Sequence, residues 1–459
     1  MRRWLAALGI LLVCAACGDG APKTGTGPET GLTQTATGDA PRHLLLLTVD
    51  TFRGDHFATT RADESLTPHL ARFAQEGQRF ANAQSVGNAT SPGVAGILTG
   101  WFPFRSGVIE NRSIIQTSVP TLGTRLRDAG FTTAAFVANP VIGPGFGFEQ
   151  GFQRYTLLPK DGHKVPGRRV TAAGLEWLER WNGRDPFFLW LHYMEPHGPY
   201  MPPQEMRELF PKEAFEAPTD IPLKPHGDNL GDGAIPFYQQ LYGPSPASRD
   251  GRDYEARYAA EVREMDRQVA RVLSWLEERG LASQTVVILT SDHGEALGDD
   301  HGYYFSHANG LTRDQVHVPL VLKSPGISPE VVDRLVSTAD VVPTALELLG
   351  LPADPELDGT SLLSAEARPA VSQSGNRLAL RSGDWKIEFR GQTREWTLFD
   401  LAADPDETTD LEESHPERFA ELKEMLTRAR RRPPLAKPVN RGDPAAEERR
   451  KELKALGYL

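Results

Sequence analysis

Two apolar stretches of the sequence end in side chains that commonly bind metal ions. Asp50 directly follows the run His43–Val49, and Asp292 and His293 lie just beyond the run at residues 286–290. Carboxylate oxygens with one imidazole nitrogen suit a divalent cation such as Mg, Mn, Ca or Zn. An Asp after a strand, taken by itself, is more typical of a cap for the next helix or turn. The two acidic ends together, with His293 beside one of them, favour a ligand set.

A third segment offers a nucleophile. Residues 88–100 read NATSPGVAGILTG, which predicts a helix with Ser91 as N-cap, Pro92 as its first residue and Gly100 as its end. Thr90 is then expected just outside a helix N-terminus, where free N–H groups and the helix dipole favour an anion. A hydroxyl bound to a metal there has a lowered pKa and can attack phosphorus or sulfur. Taken alone, the segment indicates only that Thr90 and Ser91 share the capping.

The elements that must position these residues alternate between strands and helices. Continuous apolar runs recur at residues 43–49, 132–137, 187–192, 286–290 and 316–322. Such runs suit strands that are buried on both faces of a parallel sheet. Apolar residues at helical spacing lie between them, most clearly from Val262 to Leu276, before a stop at Gly280. The alternation predicts an α/β fold with a mainly parallel central sheet between helices.

The sequence changes character after about residue 350. A connector at residues 351–369 precedes short strand patterns at residues 378–381, 385–389 and 396–400, and a charged helix at residues 417–431. A Pro-rich break and a last helix from about Ala445 follow. We therefore expect a main domain over residues 43–350 and a small α+β C-terminal subdomain with a helical tail over residues 351–459.

The N-terminus resembles the export signal of a bacterial lipoprotein. A basic start precedes an apolar stretch at residues 4–16, which is shorter than the ~20 residues of a membrane-spanning helix. Ala15, Ala16 and Cys17 resemble a lipobox, so residues 1–17 are expected to be a signal peptide with a lipidated Cys17, although Cys14 is atypical there and keeps plain secretion open. Residues 18–42 predict a flexible tether. This pattern places the protein in the bacterial cell envelope, in the periplasm or on the cell surface, with the lipid as its only membrane contact.

Composition excludes several classes of function. The 459 residues carry a formal net charge of −11, so the chain lacks the basic surface of a dedicated nucleic-acid-binding protein. Its two cysteines are Cys14 and Cys17. The body that follows them therefore has no disulfide framework, no thiolate zinc site and no cysteine nucleophile.

Several segments, taken in order, resemble the motifs of sulfatase-type members of the alkaline phosphatase superfamily. The matching segments are residues 47–56 (the opening strand and first metal carboxylate), 67–82, 90–100 (the nucleophile motif), 195–200 (EPHGPY, similar to DPHxPY), 291–295 (SDHGE) and 400–408. Each motif alone is weak, but their order and spacing are specific. The resemblance runs from about residue 43 to the C-terminus. It implies an alkaline-phosphatase-like sandwich, with the catalytic domain at residues 43–350.

This resemblance also implies the metal site and the nucleophile. Asp50, Asp292 and His293 fall on the ligand positions for one divalent metal ion, which is Ca, Mn, Mg or Zn. Thr90 falls on the nucleophile position and is expected to be a further ligand.

Three histidines complete the set of residues that the resemblance assigns. His197 falls where the family has a histidine near the anionic head of the substrate, and His307 falls where relatives have a Lys or His that assists the leaving group. His301 lies in the same loop as His307, and its role stays open between catalysis and a solvated side chain. A second metal ion bound by these three histidines is a further alternative.

One position departs from the family pattern. Well-known sulfatases oxidise a Cys or Ser in the pattern Cys/Ser-x-Pro-x-Arg to formylglycine, whereas Thr90 stands at the aligned position here and Val94 replaces the Arg. Threonine cannot give that aldehyde, so the sequence argues against a formylglycine cofactor.

The leading prediction is a sulfatase-like, metal-dependent hydrolase of sulfate or phosphate esters that attacks through a metal-bound Thr90 alkoxide. The substrate would be a small-molecule, glycan or lipid ester. An envelope phosphotransferase or phosphodiesterase of the same superfamily is the first alternative, and a non-catalytic binding lipoprotein is the second. The sequence pattern specifies neither the natural substrate nor the oligomeric state.

Overall fold

A computed structural model of the chain describes residues 41–439, except residues 112, 161, 243–246, 300–301 and 309. The predicted signal peptide and lipobox, the tether up to residue 40, the helical tail and His301 lie outside the described residues. Among the described residues, no helix is both long and apolar enough to cross a membrane.

The described residues form sixteen strands. They are β1 His43–Val49, β2 Thr60–Arg61, β3 Glu64–Ser65, β4 Gln78–Gln84, β5 Thr132–Val137, β6 Arg154–Leu157, β7 Phe187–Tyr193, β8 Thr285–Ser291, β9 Ala296–Leu297, β10 Tyr304–Ser306, β11 His317–Lys323, β12 Glu330–Ser337, β13 Ala370–Ser374, β14 Arg377–Ser382, β15 Trp385–Arg390 and β16 Glu395–Asp400.

Eleven α-helices and five short 3₁₀ turns complete the described part of the chain. The helices are α1 Pro68–Gln75, α2 Thr90–Thr99, α3 Pro103–Ser106, α4 Leu122–Asp128, α5 Gly167–Arg180, α6 Gln204–Arg207, α7 Phe237–Tyr242, α8 Gly251–Glu278, α9 Arg313–Val316, α10 Val341–Leu348 and α11 Pro416–Arg430. The 3₁₀ turns are Gly54–His56, Pro140–Ile142, Lys212–Ala214, Ala282–Gln284 and Thr338–Asp340.

Eight strands form the central sheet, in the order β12-β4-β11-β8-β1-β7-β5-β6. Strand β11 runs antiparallel to both of its neighbours, and the other pairs are parallel. Strand β1 therefore lies between β8 and β7, which brings the carboxyl ends of these three strands to one edge of the sheet.

Helices cover both faces of this sheet, as the alternating side chains of β1 illustrate. Leu45 and Leu47 pack in one apolar core with residues of α1, α5 and α8. Leu44 and Leu46 pack in a second core with residues of α2, α4 and α10. The predicted α/β sandwich with a mainly parallel sheet between helices is confirmed.

A smaller unit of α+β type follows the connector, as predicted. Strands β13 to β16 form an antiparallel sheet, and Leu422 and Leu426 of α11 pack against its apolar face. A buried ion pair between Lys386 and Glu407 ties β15 to the turn after β16, and Lys386 also donates a hydrogen bond to the carbonyl of Leu311.

The five strands predicted for the central sheet are present to within one residue at either end, while β4, β6 and β12 were not predicted. The start of α2 also differs from the prediction. Ala89, in extended conformation, is the N-cap, and Thr90 is the first helical residue. Ser91 is therefore not the cap, because the helix begins early enough for the Gly93 N–H to bond the Ala89 carbonyl at 3.0 Å.

Candidate active site

The two predicted acidic ends meet at the carboxyl edge of the sheet. Asp50 directly follows β1, and Asp292 directly follows the neighbouring strand β8, whose Ser291 is paired with Val49. Both carboxyl groups are completely buried. Open α/β sheets bind small molecules and ions at this edge. The fold therefore places the two predicted metal-binding carboxyl groups where such a site is expected.

Three buried atoms of this cluster that could bind a metal ion make no hydrogen bond within the described part of the chain. They are Asp50 Oδ1, Asp292 Oδ2 and His293 Nε2. The imidazole Nε2 lies 3.6 Å from each of the two carboxylate oxygens. His293 Nδ1 lies 2.8 Å from the Gly294 carbonyl, which assigns the ring proton to Nδ1 and leaves the Nε2 lone pair facing the carboxylates. The donor set fits a divalent cation.

Asp50 perturbs the titration of the neighbouring Asp292 carboxyl group. Burial and the nearby Asp50 raise the pKa of Asp292 well above its usual range. Burial acts in the same direction on Asp50, but His197, His192 and His293 hold the pKa of Asp50 below its usual range. Burial lowers the pKa of His293 to about 3, so its imidazole is neutral, as a metal ligand must be.

Thr90 lies beside these carboxylates because α2 approaches β8 closely. A side chain at Gly93 would place its Cβ only 2.3 Å from the Asp292 carbonyl oxygen, so this approach requires glycine. Asn139 then joins the two parts of the site: its Nδ2 lies 2.6 Å from Asp50 Oδ2 and 3.3 Å from Thr90 Oγ1.

Asn139 was not identified from the sequence. It lies two residues beyond β5, in the third strand-end loop at this edge of the sheet. The sequence offers one hint for Asn139, its position just after an apolar run. Many Asn residues with a purely structural role share that position, so the hint does not single it out.

His192 is a second residue that the sequence did not single out. Its Nδ1 lies 2.8 Å from Thr48 Oγ1, which also accepts a hydrogen bond from the Trp190 indole at 2.8 Å. The indole only donates, so the Thr48 hydroxyl hydrogen is available for Nδ1 of His192. The other ring nitrogen, Nε2, lies 3.4 Å from Asp50 Oδ2.

His192 also belongs to the group of side chains that could hold a metal ion. His192, Asp50 and Asp292 each offer one ligand-type atom within 4.8 Å of one another. His192 Nε2 makes no hydrogen bond among the described residues, so its position suits either a cation ligand or a side chain that orients the Asp50 carboxylate.

The predicted histidines His197 and His307 lie together beside His293. The His307 ring centroid is 4.5 Å from that of His293 and 5.0 Å from that of His197. His307 Nδ1 lies 2.9 Å from Glu295 Oε1, and the other Glu295 oxygen accepts a hydrogen bond from Tyr200. Burial would lower the pKa of His307, but the Glu295 carboxylate outweighs it and raises that pKa.

Thr51, next to Asp50, has a backbone conformation that is rare for a β-branched residue. Its φ is +57°, in the left-handed region. Its N–H donates to Asp292 Oδ1 at 3.3 Å, and its carbonyl accepts a hydrogen bond from Tyr258 at 2.7 Å. Strain of this kind persists only where the surroundings impose it, so these two contacts help to fix the adjacent ligand.

A cleft of 920 Å³ borders the site. Ala89 and Ala308, the chain neighbours of Thr90 and His307, contribute to its lining. Polar or charged side chains make up most of the remaining lining: Glu110, Asn111, Asp232, Ser374, Asn376, Arg377, Arg390, Gln392, Thr393 and Glu395. About half of the lining residues belong to the C-terminal subdomain, so both parts of the protein contribute to this cleft.

This fold and site define a hydrolase that acts on ester bonds, and the chain belongs to the sulfatase family: the family model described as Sulfatase matches residues 42–351. Among curated proteins it is 27% identical to the choline-sulfatase of Rhizobium meliloti (strain 1021), over 81% of this chain and 82% of that protein. It is 28% identical to the multifunctional alkaline phosphatase superfamily protein PehA of Trinickia caryophylli, over 76% and 79%. The crystal structure of the phosphonate monoester hydrolase of Agrobacterium radiobacter superposes with a TM-score of 0.71 at 21% identity, covering 88% of this chain and 100% of that one.

Proposed function

We propose that this protein hydrolyses sulfate or phosphate esters in a metal-dependent reaction with Thr90 as the nucleophile. One observation carries the proposal: three buried ligand-type atoms, on Asp50, Asp292 and His293, make no hydrogen bond in the part of the chain that the structure describes, and they converge beside a buried threonine hydroxyl. A purely structural cluster would be expected to satisfy such atoms, because leaving them unpaired costs about 1–3 kcal/mol each.

Asp50, Asp292 and His293 would hold the metal. When bound, a divalent cation lowers the pKa of a neighbouring hydroxyl and neutralises charge on the oxygens of the substrate head. Asn139 supports the same step from the protein side. Its amide group can donate one hydrogen to Asp50 and the other to the Thr90 oxygen, which stabilises the negative charge that this oxygen acquires.

The reaction would proceed in two displacements. Thr90 Oγ1 releases its proton to solvent and forms a bond to phosphorus or sulfur while the bond to the leaving oxygen breaks. His307, oriented by Glu295, donates its proton to that oxygen. Water then attacks the Thr90 ester and gives one proton to His307, while the bond to Thr90 Oγ1 breaks and this oxygen takes up a proton from solvent. Phosphate or sulfate is released and the hydroxyl is restored. His197 would bind the anionic head.

Phosphoesters are the better-supported substrates of the two. Threonine cannot become formylglycine, and Val94 occupies the Arg position of the modification pattern. An unmodified alkoxide suits phosphoester chemistry. The polar cleft beside Thr90 favours a substrate whose alcohol part is hydrophilic, such as a glycan or a lipid head group.

Turnover of nitrophenyl sulfate, phosphate, phosphodiester and phosphonate monoester tests this function. Each is measured with Mn, Ca, Zn or EDTA for the wild type, Thr90→Ala and Thr90→Ser. We expect metal-dependent phosphoester turnover that falls at least about 10³-fold in Thr90→Ala and survives in part in Thr90→Ser. Unchanged turnover in Thr90→Ala refutes the nucleophile. Products that form only when a second alcohol is added favour the phosphotransferase alternative. Metal binding without any turnover favours a binding protein.

The location of the protein in the cell is a separate proposal. We infer from the sequence of residues 1–42 that the body is tethered to the cell envelope by a lipid on Cys17. Cell fractionation of Cys17→Ser tests it. The expected result is loss of the membrane-associated pool, and an unchanged distribution contradicts the anchor.

A further inference from the structure

The loop that carries His197 is held at two points by a buried ion pair. Lys164 Nζ lies 2.7 Å from Glu261 Oε1, and their side chains are 7% and 1% exposed. Lys164 Nζ also donates to the His197 carbonyl at 3.2 Å. Glu261 Oε1 accepts a hydrogen bond from the N–H of Met201 at 2.6 Å. The pair therefore contacts the loop at residue 197 and again four residues later.

The two charges come from different parts of the fold. Lys164 lies in the segment just before α5, and Glu261 lies in the middle of α8. A buried ion pair contributes little to stability unless further hydrogen bonds satisfy both groups. Here those further bonds go to the His197 loop, so the energy of burying the pair is coupled to the position of that loop.

Removing one residue of this pair would leave the ionisable group of the other buried without its partner. Burial raises the pKa of Glu261 to about 7, although Lys164 opposes the rise. Glu195, which accepts the Gly167 N–H at 2.7 Å, acts on the pKa of Glu261 in the same direction as burial. Lys164 therefore opposes two effects that favour the uncharged form of Glu261.

We propose that Lys164 and Glu261 are positioning residues for His197, and through it for the anionic head of the substrate. This proposal rests on the proposed function for the role of His197. The backbone carbonyl of His197 is fixed by Lys164, and its Nδ1 lies 2.5 Å from the Gly198 carbonyl. The first contact fixes the backbone and the second orients the ring, whose centroid lies 5.0 Å from that of His307.

The test compares two double variants of the full-length protein. In Lys164→Met/Glu261→Gln both charges are removed at similar side-chain volume, so no uncompensated charge remains buried. The matched control is Arg105→Met/Asp358→Asn. That pair is also buried, with Arg105 Nη1 3.0 Å from Asp358 Oδ1, and its arginine also donates to a backbone carbonyl, that of Glu356, but it joins α3 to the connector at residues 351–369.

Two readouts separate positioning from general stability. The first is kcat/KM for the best ester from the substrate comparison above, and we expect a loss of about 10–100-fold in the Lys164/Glu261 variant and less than about 2-fold in the control. The second is the imidazole ¹H–¹⁵N NMR signal of His197, assigned with His197→Gln, which needs no substrate. It should shift in the first variant and stay in place in the control. Lys164→Arg should recover part of both readouts.

The NMR readout keeps this proposal distinct from the proposed function. An unmoved His197 signal in Lys164→Met/Glu261→Gln overturns the positioning role, whether or not the protein hydrolyses esters. Equal loss of activity in the two double variants also overturns it, because that result shows only a general dependence on stability. If Thr90→Ala keeps its turnover while the His197 signal shifts, the proposed nucleophile fails and the positioning of His197 stands.

Discussion

Replacing Asp292 by Asn should stabilise the metal-free protein and abolish its stabilisation by metal. In the wild type, Asp292 Oδ1 accepts the N–H groups of Thr51 and His293, while Oδ2 makes no hydrogen bond among the described residues. The asparagine can keep both of the accepted bonds through Oδ1. Its amide then takes the place of an oxygen that faces the Asp50 carboxylate, so the repulsion between two buried acids is removed.

Burial and Asp50 raise the pKa of Asp292 well above its usual range, so a charged carboxyl group at this position is unfavourable in the native state. Asp292 Oδ2 is also a buried oxygen without a hydrogen bond among the described residues, and such an atom costs about 1–3 kcal/mol. Without metal, we therefore expect Asp292→Asn to raise the free energy of unfolding by about 1–3 kcal/mol. With metal at 100 times its Kd, the wild type gains about 2.7 kcal/mol, whereas a site weakened 100-fold gains only about 0.4 kcal/mol. The stability of Asp292→Asn relative to the wild type should therefore fall by about 2.3 kcal/mol when metal replaces EDTA.

Urea unfolding in EDTA and at several Mn, Ca and Zn concentrations measures both effects. Asp266→Asn is the matched control, because Asp266 is a buried carboxyl outside the site that accepts two backbone N–H groups and whose pKa is raised by burial to about 6. It should change the metal-free stability and leave the metal-dependent gain intact. An equal metal-dependent gain in Asp292→Asn and the wild type would refute this ligand assignment.

Three further predictions concern other parts of the molecule. Asn139→Ala removes the amide that donates to Asp50 and should lower kcat/KM about 10–100-fold; steady-state kinetics that match the wild type would contradict this role. Burial lowers the pKa of His43 to about 4 from 6.5, so the native state binds fewer protons than the unfolded state, and stability present above pH 6.5 is lost as the pH falls toward 4. His43→Asn should reduce that loss, by at most about 3 kcal/mol, in urea unfolding at pH 7 and pH 4.5, and equal acid sensitivity would count against it. Lys386→Met leaves Glu407 buried without its cation and should cost about 3–5 kcal/mol in the same assay, part of which Lys386→Met/Glu407→Gln recovers; a single variant as stable as the wild type would show that the pair contributes nothing.

Local patterns were sufficient to predict the strands that lie deepest in the sheet. The run at residues 43–49 is apolar throughout, and β1 has these bounds because both of its faces are buried. By contrast, β4 has the sequence QRFANAQ, and the two edge strands, β6 and β12, are only partly buried. Strands of that kind are stabilised mainly by pairing with their neighbours, so their own side chains give little signal.

The candidate site was predicted in part for the same reason. Asp50, Asp292 and His293 directly follow apolar runs, so strand periodicity locates them at strand ends. Asn139 and His192 take part in the site only because β7 and β5 lie next to β1 in the sheet, and no local pattern encodes that order. His301 lies outside the described residues, so its role stays a prediction.

The start of α2 shows how a local rule can give the wrong detail. Ser-Pro is a typical start for a helix, and it predicts Ser91 as the cap. In the folded chain the Ser91 N–H bonds the Asn111 side chain at 2.9 Å instead, and the helix begins at Thr90. A contact from a loop twenty residues away thus accompanies a shift of the helix start by two residues.

The sequence by itself determined which chemical groups are present and which of them end a buried strand, because side-chain type and periodicity are local properties. It also determined that no cysteine in the body and no formylglycine pattern at Thr90 are available. Only the tertiary structure decided which groups meet. The order β8-β1-β7-β5 brings Asp292, Asp50, His192 and Asn139 together, and the packing of α8 against the His197 loop places Glu261 beside Lys164. These contacts join residues far apart in the chain, and they form because the fold as a whole buries the sheet and its helices together.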